Sequence, residues 1–467
     1  MTIIASSFVF FLLLFMGVGL YSMTQKSETT EDYLVASRGM SPWTVALSAV
    51  ATNNSGFMFI GLIGETYVQG LSAMWVMVGW VVGDYMMWLT KIPDQLRVRS
   101  AQQGAVTIPS FLGGVERSRS ITAIAGLMTL FFLGLYAAAQ LNAGSKALHA
   151  LFNWPHYMGA IIGASIVILY CFAGGIRASI WTDVLQSVVM LIAMILLCGI
   201  AVNHLGGMSG LWEKLSQIDP ALIDWQSSDA SGGFVLFLMG WLFAGAGVVG
   251  QPHIMIRVMT LDDASSMHKA RRIYFTWNGL FAAAAILVGL AARAYLNDQN
   301  LTDPELALPV LAQNLLPAVL VGLVLAGIFA ATMSTADSQV LSCSAAITQD
   351  LFPRWKSDYG IAKLSTIIVT GVVLGIALMG GSVFDLIVLA WSSLAAGLGP
   401  LLVLRALGIE VSSKVGVSMM LGALATVLIW RFMLQLTPVV YDAMPAIIVG
   451  FSIYAMSRLL SKASTTD

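Results

Sequence analysis

Ala51-Thr52-Asn53-Asn54-Ser55-Gly56 sets four polar side chains and a glycine in the middle of an apolar run at 43–65. A second interruption, Gly245-Ala246-Gly247-Val248-Val249-Gly250-Gln251-Pro252-His253, ends the apolar run at 233–252. In hydrocarbon each unsatisfied backbone N–H or C=O costs several kcal/mol, so irregular backbone persists there only when buried in protein or lining a polar cavity. One interrupted helix reads as a packing kink between small residues. Two of them, at matching places in two halves of a chain, point to the binding site of a transporter.

Working outward from these segments, the apolar runs fall near 1–23, 43–65, 70–92, 118–142, 156–174, 180–203, 233–252, 270–296, 316–346, 362–379, 381–407, 414–432 and 439–460. A bilayer core of about 30 Å asks for roughly 20 apolar residues per helix, so thirteen transmembrane helices are expected. The interruptions lie five runs apart, and an odd offset inverts one half relative to the other. The expected organisation is a leading helix at 1–23, a first repeat at 43–203, an inverted second repeat at 233–407, and two trailing helices at 414–460.

Composition agrees. The 467 residues are 58% hydrophobic and 10% charged, where a soluble domain carries roughly 25% charged residues. A globule with so few charges could not cover itself in water. A soluble enzyme and a disordered scaffold are excluded, and a formal net charge of −1 argues against a nucleic-acid partner. Cys171, Cys198 and Cys343 sit in apolar runs and form no disulfide framework. The glycines at 245, 247 and 250 spell a dinucleotide fingerprint, but no strand precedes them and no βαβ unit surrounds them. Residues 1–22 hold no Lys or Arg, so this start lacks the leading positive charge of a signal peptide and reads as a retained first span. All but four of the 23 Lys and Arg (Lys146, Lys214, Arg293 and Arg431) fall on one side of the expected topology. That side, with Lys26, Arg257, Arg271 and Arg272 among its loop residues, is then cytoplasmic, the N-terminus is outside and the C-terminus inside.

The run at 316–346 contains Ala330-Ala331-Thr332-Met333-Ser334-Thr335-Ala336-Asp337-Ser338. Positions 331, 334, 335 and 338 share one helix face. Unwound carbonyls at Ala51 and Asn54, with the Ser334 and Thr335 hydroxyls, would cage a small dehydrated cation. Equally, Ser and Thr in apolar helices bond back to the i−4 carbonyl. Asp84, Asp183 and Asp337 are costlier: each would lose about 2.5–3.5 kcal/mol at a helix centre, which makes it a functional candidate by default. Asp84, near the end of its run, reads as an interfacial structural residue. Asp183 follows Trp181-Thr182, and Asp337 adjoins the hydroxyl face. An intramembrane aspartyl protease would want GxGD, and Val81-Val82-Gly83-Asp84 lacks the first glycine.

The chain resembles the sodium:solute symporter family, and within it the sodium/proline branch. The marks are Asp32-Tyr33, Leu47-Ser48-Ala49, Trp181-Thr182-Asp183, Gly250-Gln251-Pro252-His253, Ala270-Arg271-Arg272, Met333-Ser334-Thr335 and Ala346-Ile347-Thr348-Gln349-Asp350-Leu351, in order from about Asp32 to Arg405. The resemblance implies a five-plus-five inverted-repeat, all-α polytopic fold. It also implies a Na+ site at Ala51, Asn54, Ala331, Ser334 and Thr335, and a second cation site on Asp183, Ser334, Asp337 and Ser338. A solute site is implied around Asn53, Ser55, Gly56, Tyr136, Gln140, Ala244, Val248, Pro252 and Trp391, with Trp241 and Phe243 as further candidate walls. Tyr136 and Pro252 match the proline branch. Ala244 and Val248 stand where that branch carries aromatics, and Asn53 where it carries an aspartate. The function implied is Na+-coupled import of a small, amino-acid-like solute across the cell membrane, with no enzymatic step. The rival is a transporter-like sensor that signals through a separate partner.

Overall fold

The computed structural model describes residues 2–25, 28–226, 232–297, 301–356 and 358–463; Lys26 lies outside them. Most of those residues are helical, with a single isolated bridge between Met40 and Leu261 and no strand among them. The principal helices are α1 (Thr2–Ser22), α2 (Pro42–Gly56), α3 (Leu62–Gln69), α4 (Met74–Leu89), α5 (Arg119–Phe152), α6 (His156–His204), α7 (Phe234–Ala246), α8 (Pro252–Thr260), α9 (Met267–Leu296), α10 (Ala318–Ala345), α11 (Tyr359–Ala377), α12 (Val383–Ala406), α13 (Ser413–Leu428) and α14 (Ala443–Ala463). Side-chain caps start several of them: Ser382 accepts from Asp385 N–H and Asp358 from Ile361 N–H, each satisfying a backbone donor left over by the first turn.

By length and apolarity ten helices qualify as membrane spans, or eleven when the α7–α8 pair, bent by 51°, counts as one. The thirteen expected from the sequence are not reached by that measure, and the difference lies in three places. The α7–α8 bend is one. The stretch Pro42–Leu89 counts as one 48-residue span, yet Asn53 Nδ2 lies 3.3 Å from Asp84 Oδ2 across 31 residues. A straight helix would hold these positions about 46 Å apart, so the chain folds back on itself, at Gly70 with its φ of +70°. The first part of α6 enters only as a shorter apolar helix, His156–Leu169. Here too the chain reverses, at Gly175 with φ +56°. His156 lines a cavity with Asp303 while His204 meets Tyr295 edge-to-face, and an unbroken helix of 49 residues would separate its ends by roughly 70 Å.

The bundle is packed so that the interrupted helix is innermost. The Pro42–Leu89 stretch is the most buried of the spans, and α1, α13 and α14 are the least. Apolar side chains such as Phe10, Phe131, Ile368 and Val372 face outward, as a lipid-facing surface requires. α2 packs on α6, α9 and α10. α4 and α7 cross backbone to backbone, because a methyl group at Gly83 or Gly245 would overlap the facing carbonyl of Leu242 or Trp80.

Candidate functional site

The break in α2 is narrower than the polar run suggests. Ser55 alone leaves the helical region, at φ 43° and ψ −176°, and a π-helical stretch, Phe57–Gly61, follows. A residue in that conformation interrupts the i→i−4 ladder. Asn54 C=O accepts from Phe57 N–H, while Asn54 Nδ2 reaches Val50 O at 2.9 Å and Asn278 Oδ1 at 3.1 Å.

Facing this segment, α10 presents its hydroxyls. Ser334 Oγ lies 3.3 Å from Ala51 O and 3.1 Å from Ala331 O. Thr335 Oγ1 lies 3.0 Å from Thr52 O and 3.1 Å from Ala331 O. Five oxygens, three of them main-chain carbonyls, thus converge here around two hydroxyl groups. Four of the residues implied for the first cation site, Ala51, Ala331, Ser334 and Thr335, are brought together, and Thr52 joins them.

The second predicted cluster contains an unexpected occupant. Arg257, assigned from the sequence to a cytoplasmic loop, is fully buried, because α8 continues past the Gln251 break into the bundle. Its guanidinium donates to Ser48 Oγ at 3.2 Å, His253 O at 2.9 Å, Ser179 Oγ at 2.7 Å and Ser338 Oγ, and pairs with Asp183 Oδ2 at 3.3 Å. Asp183 also accepts from Ser48 Oγ at 2.6 Å. Asp337 Oδ1 accepts from Ser179 Oγ at 3.0 Å and Ser338 Oγ at 2.8 Å. Two carboxyl groups and one guanidinium thus share a fully buried cluster, with one acid more than there are bases.

Across α2 lies a third carboxylate. Asp84, read from the sequence as an interfacial structural residue, is fully buried within the protein. Its Oδ2 accepts from Tyr274 Oη at 2.7 Å, Asn53 Nδ2 at 3.3 Å and Asn278 Nδ2 at 3.5 Å. Tyr274 and Asn278, one turn apart on α9, were not singled out in the sequence; an Asn inside an apolar helix was the available signal.

The solute-site candidates divide. Ser55 Oγ sits 3.3 Å from Tyr136 Oη, and Gly56 N–H donates to Gln140 Oε1 at 2.7 Å. A side chain at Gly56 would meet Gln140 and Thr332, so glycine lets α5 and α10 close on the break. The Tyr136 ring stands 5.5 Å from that of His253, beside Pro252. Trp391 Nε1 donates to Ala244 O at 2.7 Å, and Gln251 Nε2 donates to Trp391 O at 3.0 Å, which ties α12 to the second break. Val248 is buried in that break. Asn53 instead turns toward Asp84. Trp241 belongs to an aromatic layer: Trp80 stacks between Phe57 at 5.2 Å and Trp241 at 6.0 Å, and Trp241 lies on Tyr441 at 4.7 Å. Beyond the layer a cavity of about 580 Å³ opens, lined among others by Trp241, Tyr441, Phe384, Glu65 and Arg431. On the same face Lys146 bridges Asp303 at 2.7 Å and Glu305 at 2.5 Å, and Glu305 accepts from Phe384 N–H at 3.0 Å.

A model of the sodium:solute symporter family matches residues 33–424. The sodium/proline symporter of Escherichia coli (strain K12) is 31% identical over 94% of this chain and 89% of its own length. The osmoregulated proline transporter OpuE of Bacillus subtilis (strain 168) is 29% identical over 99% and 96%. Among solved structures, a Na+-coupled sialic acid symporter in a substrate-bound outward-open state aligns over 96% of both chains with a TM-score of 0.78 at 20% identity, a likeness of fold.

Proposed function

The chain belongs to the sodium:solute symporter family, and on that premise we propose that it imports a small, amino-acid-like solute, proline or a relative of it, by alternating access driven by sodium. Family membership favours transport over the sensor reading. The observation that carries the proposal is the five-oxygen crowd between α2 and α10, which asks for a cation where a helix is broken. Na+ enters there as co-transported substrate, held by Ala51, Ala331, Ser334 and Thr335, with Asn54 alongside. The negative charge left over among Asp183, Ser334, Asp337, Ser338 and Arg257 offers a second cation site. The solute lies on the far side of the Ser55 break, against Gly56, Tyr136, Gln140, Pro252 and Trp391, under the aromatic layer, with Asn53 at its edge. The repeats run 43–203 and 233–407, and the chain sits in the cell membrane with its N-terminus outside and C-terminus cytoplasmic. The cavity bounded by Arg431 is then the external vestibule.

Moving one charge inward across 100 mV supplies about 2.3 kcal/mol, enough for roughly 50-fold accumulation, and a second ion squares that factor. Ala244 and Val248 in place of rings remove apolar contact worth about 2–3 kcal/mol each on burial, so proline is expected to be a substrate without being the preferred one. Uptake of labelled proline into proteoliposomes under an inward sodium gradient, competed by a panel of amino acids and carboxylates, tests both points. Absence of sodium-dependent uptake for every member would refute the importer. Micromolar proline affinity with no better competitor would refute the relaxed pocket.

A further inference from the structure

We propose that Asp84 is a proton-binding site, neutral while the sodium cage is empty and ionised when sodium enters it, an inference that rests on the sodium reading above. Its carboxyl group is fully buried and makes unequal use of its two oxygens. Oδ2 accepts three bonds, from Asn53, Tyr274 and Asn278. Oδ1 has no hydrogen-bond partner, and neither has the buried Oδ1 of the adjoining Asn53. The buried Trp88 Nε1, one turn further along α4, is a donor that also has no partner, and its single proton can serve only one of these two orphan acceptors. A metal cation asks for a shell of several oxygens, more than this pair offers. One proton on Asp84 Oδ1 turns an acceptor into a donor beside an acceptor.

No basic side chain supplies the missing charge. Among the described residues Asp84 forms no ion pair. α2 contributes only neutral amides here, and α7 approaches with backbone at Gly245 and bears no titratable residue. From α9 come Tyr274 and, toward the end of α4, Arg271, whose guanidinium is taken up by Trp88 O, Thr90 O and Asp94. Tyr85, next in the chain, donates to Phe275 O at 2.5 Å. An isolated buried carboxylate is strongly disfavoured against its acid.

A link to the sodium cage is built in. Asn278 donates to Asp84 at 3.5 Å and accepts from Asn54 at 3.1 Å, so one amide joins the acid to the residue beside the cage. A sodium ion there favours the ionised form; the O–H bond on Oδ1 breaks and the proton passes to water. Reciprocity then makes sodium bind more tightly as pH rises, by at most about tenfold per pH unit for one linked proton.

The test uses purified full-length protein in detergent. Tryptophan fluorescence reads sodium binding, a pH-indicator dye in weak buffer reads proton release, and infrared difference spectra read the carboxylic C=O band. Wild type should release close to one proton on sodium addition and lose the band. Asp84→Asn, whose amide copies the neutral acid, should bind sodium with pH-independent affinity, release nothing and lack the band. Sodium binding by wild type with neither release nor band overturns the proposal. So does release that persists in Asp84→Asn and disappears in Asp337→Asn. Should Asp84→Asn fail to fold, Asn53→Ala decides: it removes the facing acceptor and must shift the band, and an unshifted band overturns the assignment. A protein blind to sodium by fluorescence would remove the sodium reading instead, and the band alone then decides whether Asp84 carries a proton.

Discussion

α2 separates two buried acidic clusters that balance their charge in opposite ways. On one side Arg257 pairs with Asp183, Ser179 and Ser338 link it to Asp337, and Ser48 bonds both Arg257 and Asp183, whose Oδ1 still has no partner. On the other, Asp84 has only neutral donors. A fixed guanidinium offsets one of the two acids in the first cluster, and the other is what the proposed second cation would meet. The second has no internal counter-charge, which is why its protonation is proposed to follow a mobile cation. Ser48 and Asn53, less than two turns apart on one helix, reach the two clusters, so a movement of α2 is felt by both.

The comparison is broken most directly by removing the fixed cation. Arg257→Met leaves two buried carboxylates uncompensated and should cost about 3–5 kcal/mol of stability, read as a lower melting temperature in detergent and lost surface expression. Adding Asp183→Asn should recover part of that loss. A wild-type melting curve for Arg257→Met would show that the guanidinium is not what holds the cluster.

Next in size come the cage hydroxyls between the clusters. Ser334→Ala and Thr335→Ala each remove one of the five oxygens, and a charge-assisted contact is worth about 1.5–3 kcal/mol. The sodium concentration for half-maximal uptake should rise roughly tenfold or more in each. Unchanged sodium dependence in both variants would place the cage elsewhere.

Asp183→Asn and Asp337→Asn sharpen the contrast within the first cluster. Each cancels the surplus negative charge, so ion stoichiometry should change more than solute affinity. Current-to-flux ratios measured beside solute competition separate the two, and a loss confined to solute affinity would contradict the assignment.

The smallest effect is expected at the second cluster. Asp84→Asn keeps the shape and the hydrogen bonding of a neutral acid and should alter stability by less than about 1 kcal/mol. A loss comparable to that of Arg257→Met would mean that Asp84 is ionised in the resting protein, and the two clusters would no longer differ in kind.

The amino-acid sequence by itself determined the membrane class and the two interrupted segments, which rest on composition and on runs of about 20 residues, local properties of a chain. The family came from short motifs in a shared order, and the Ala51, Asn54, Ala331, Ser334, Thr335 set is what that resemblance implies. Tertiary structure alone decided that Arg257 lies inside the bundle, that Asp84 is covered, and that a break confined to Ser55 suffices. The physical reason is distance along the chain. Arg257 meets partners 209, 78 and 74 residues away, and Asp84 meets Tyr274 across 190. A charged residue just past an apolar run carries the same local signature whether the helix ends there or bends and continues; only the neighbours that pack against it distinguish a solvated loop arginine from a buried counter-ion.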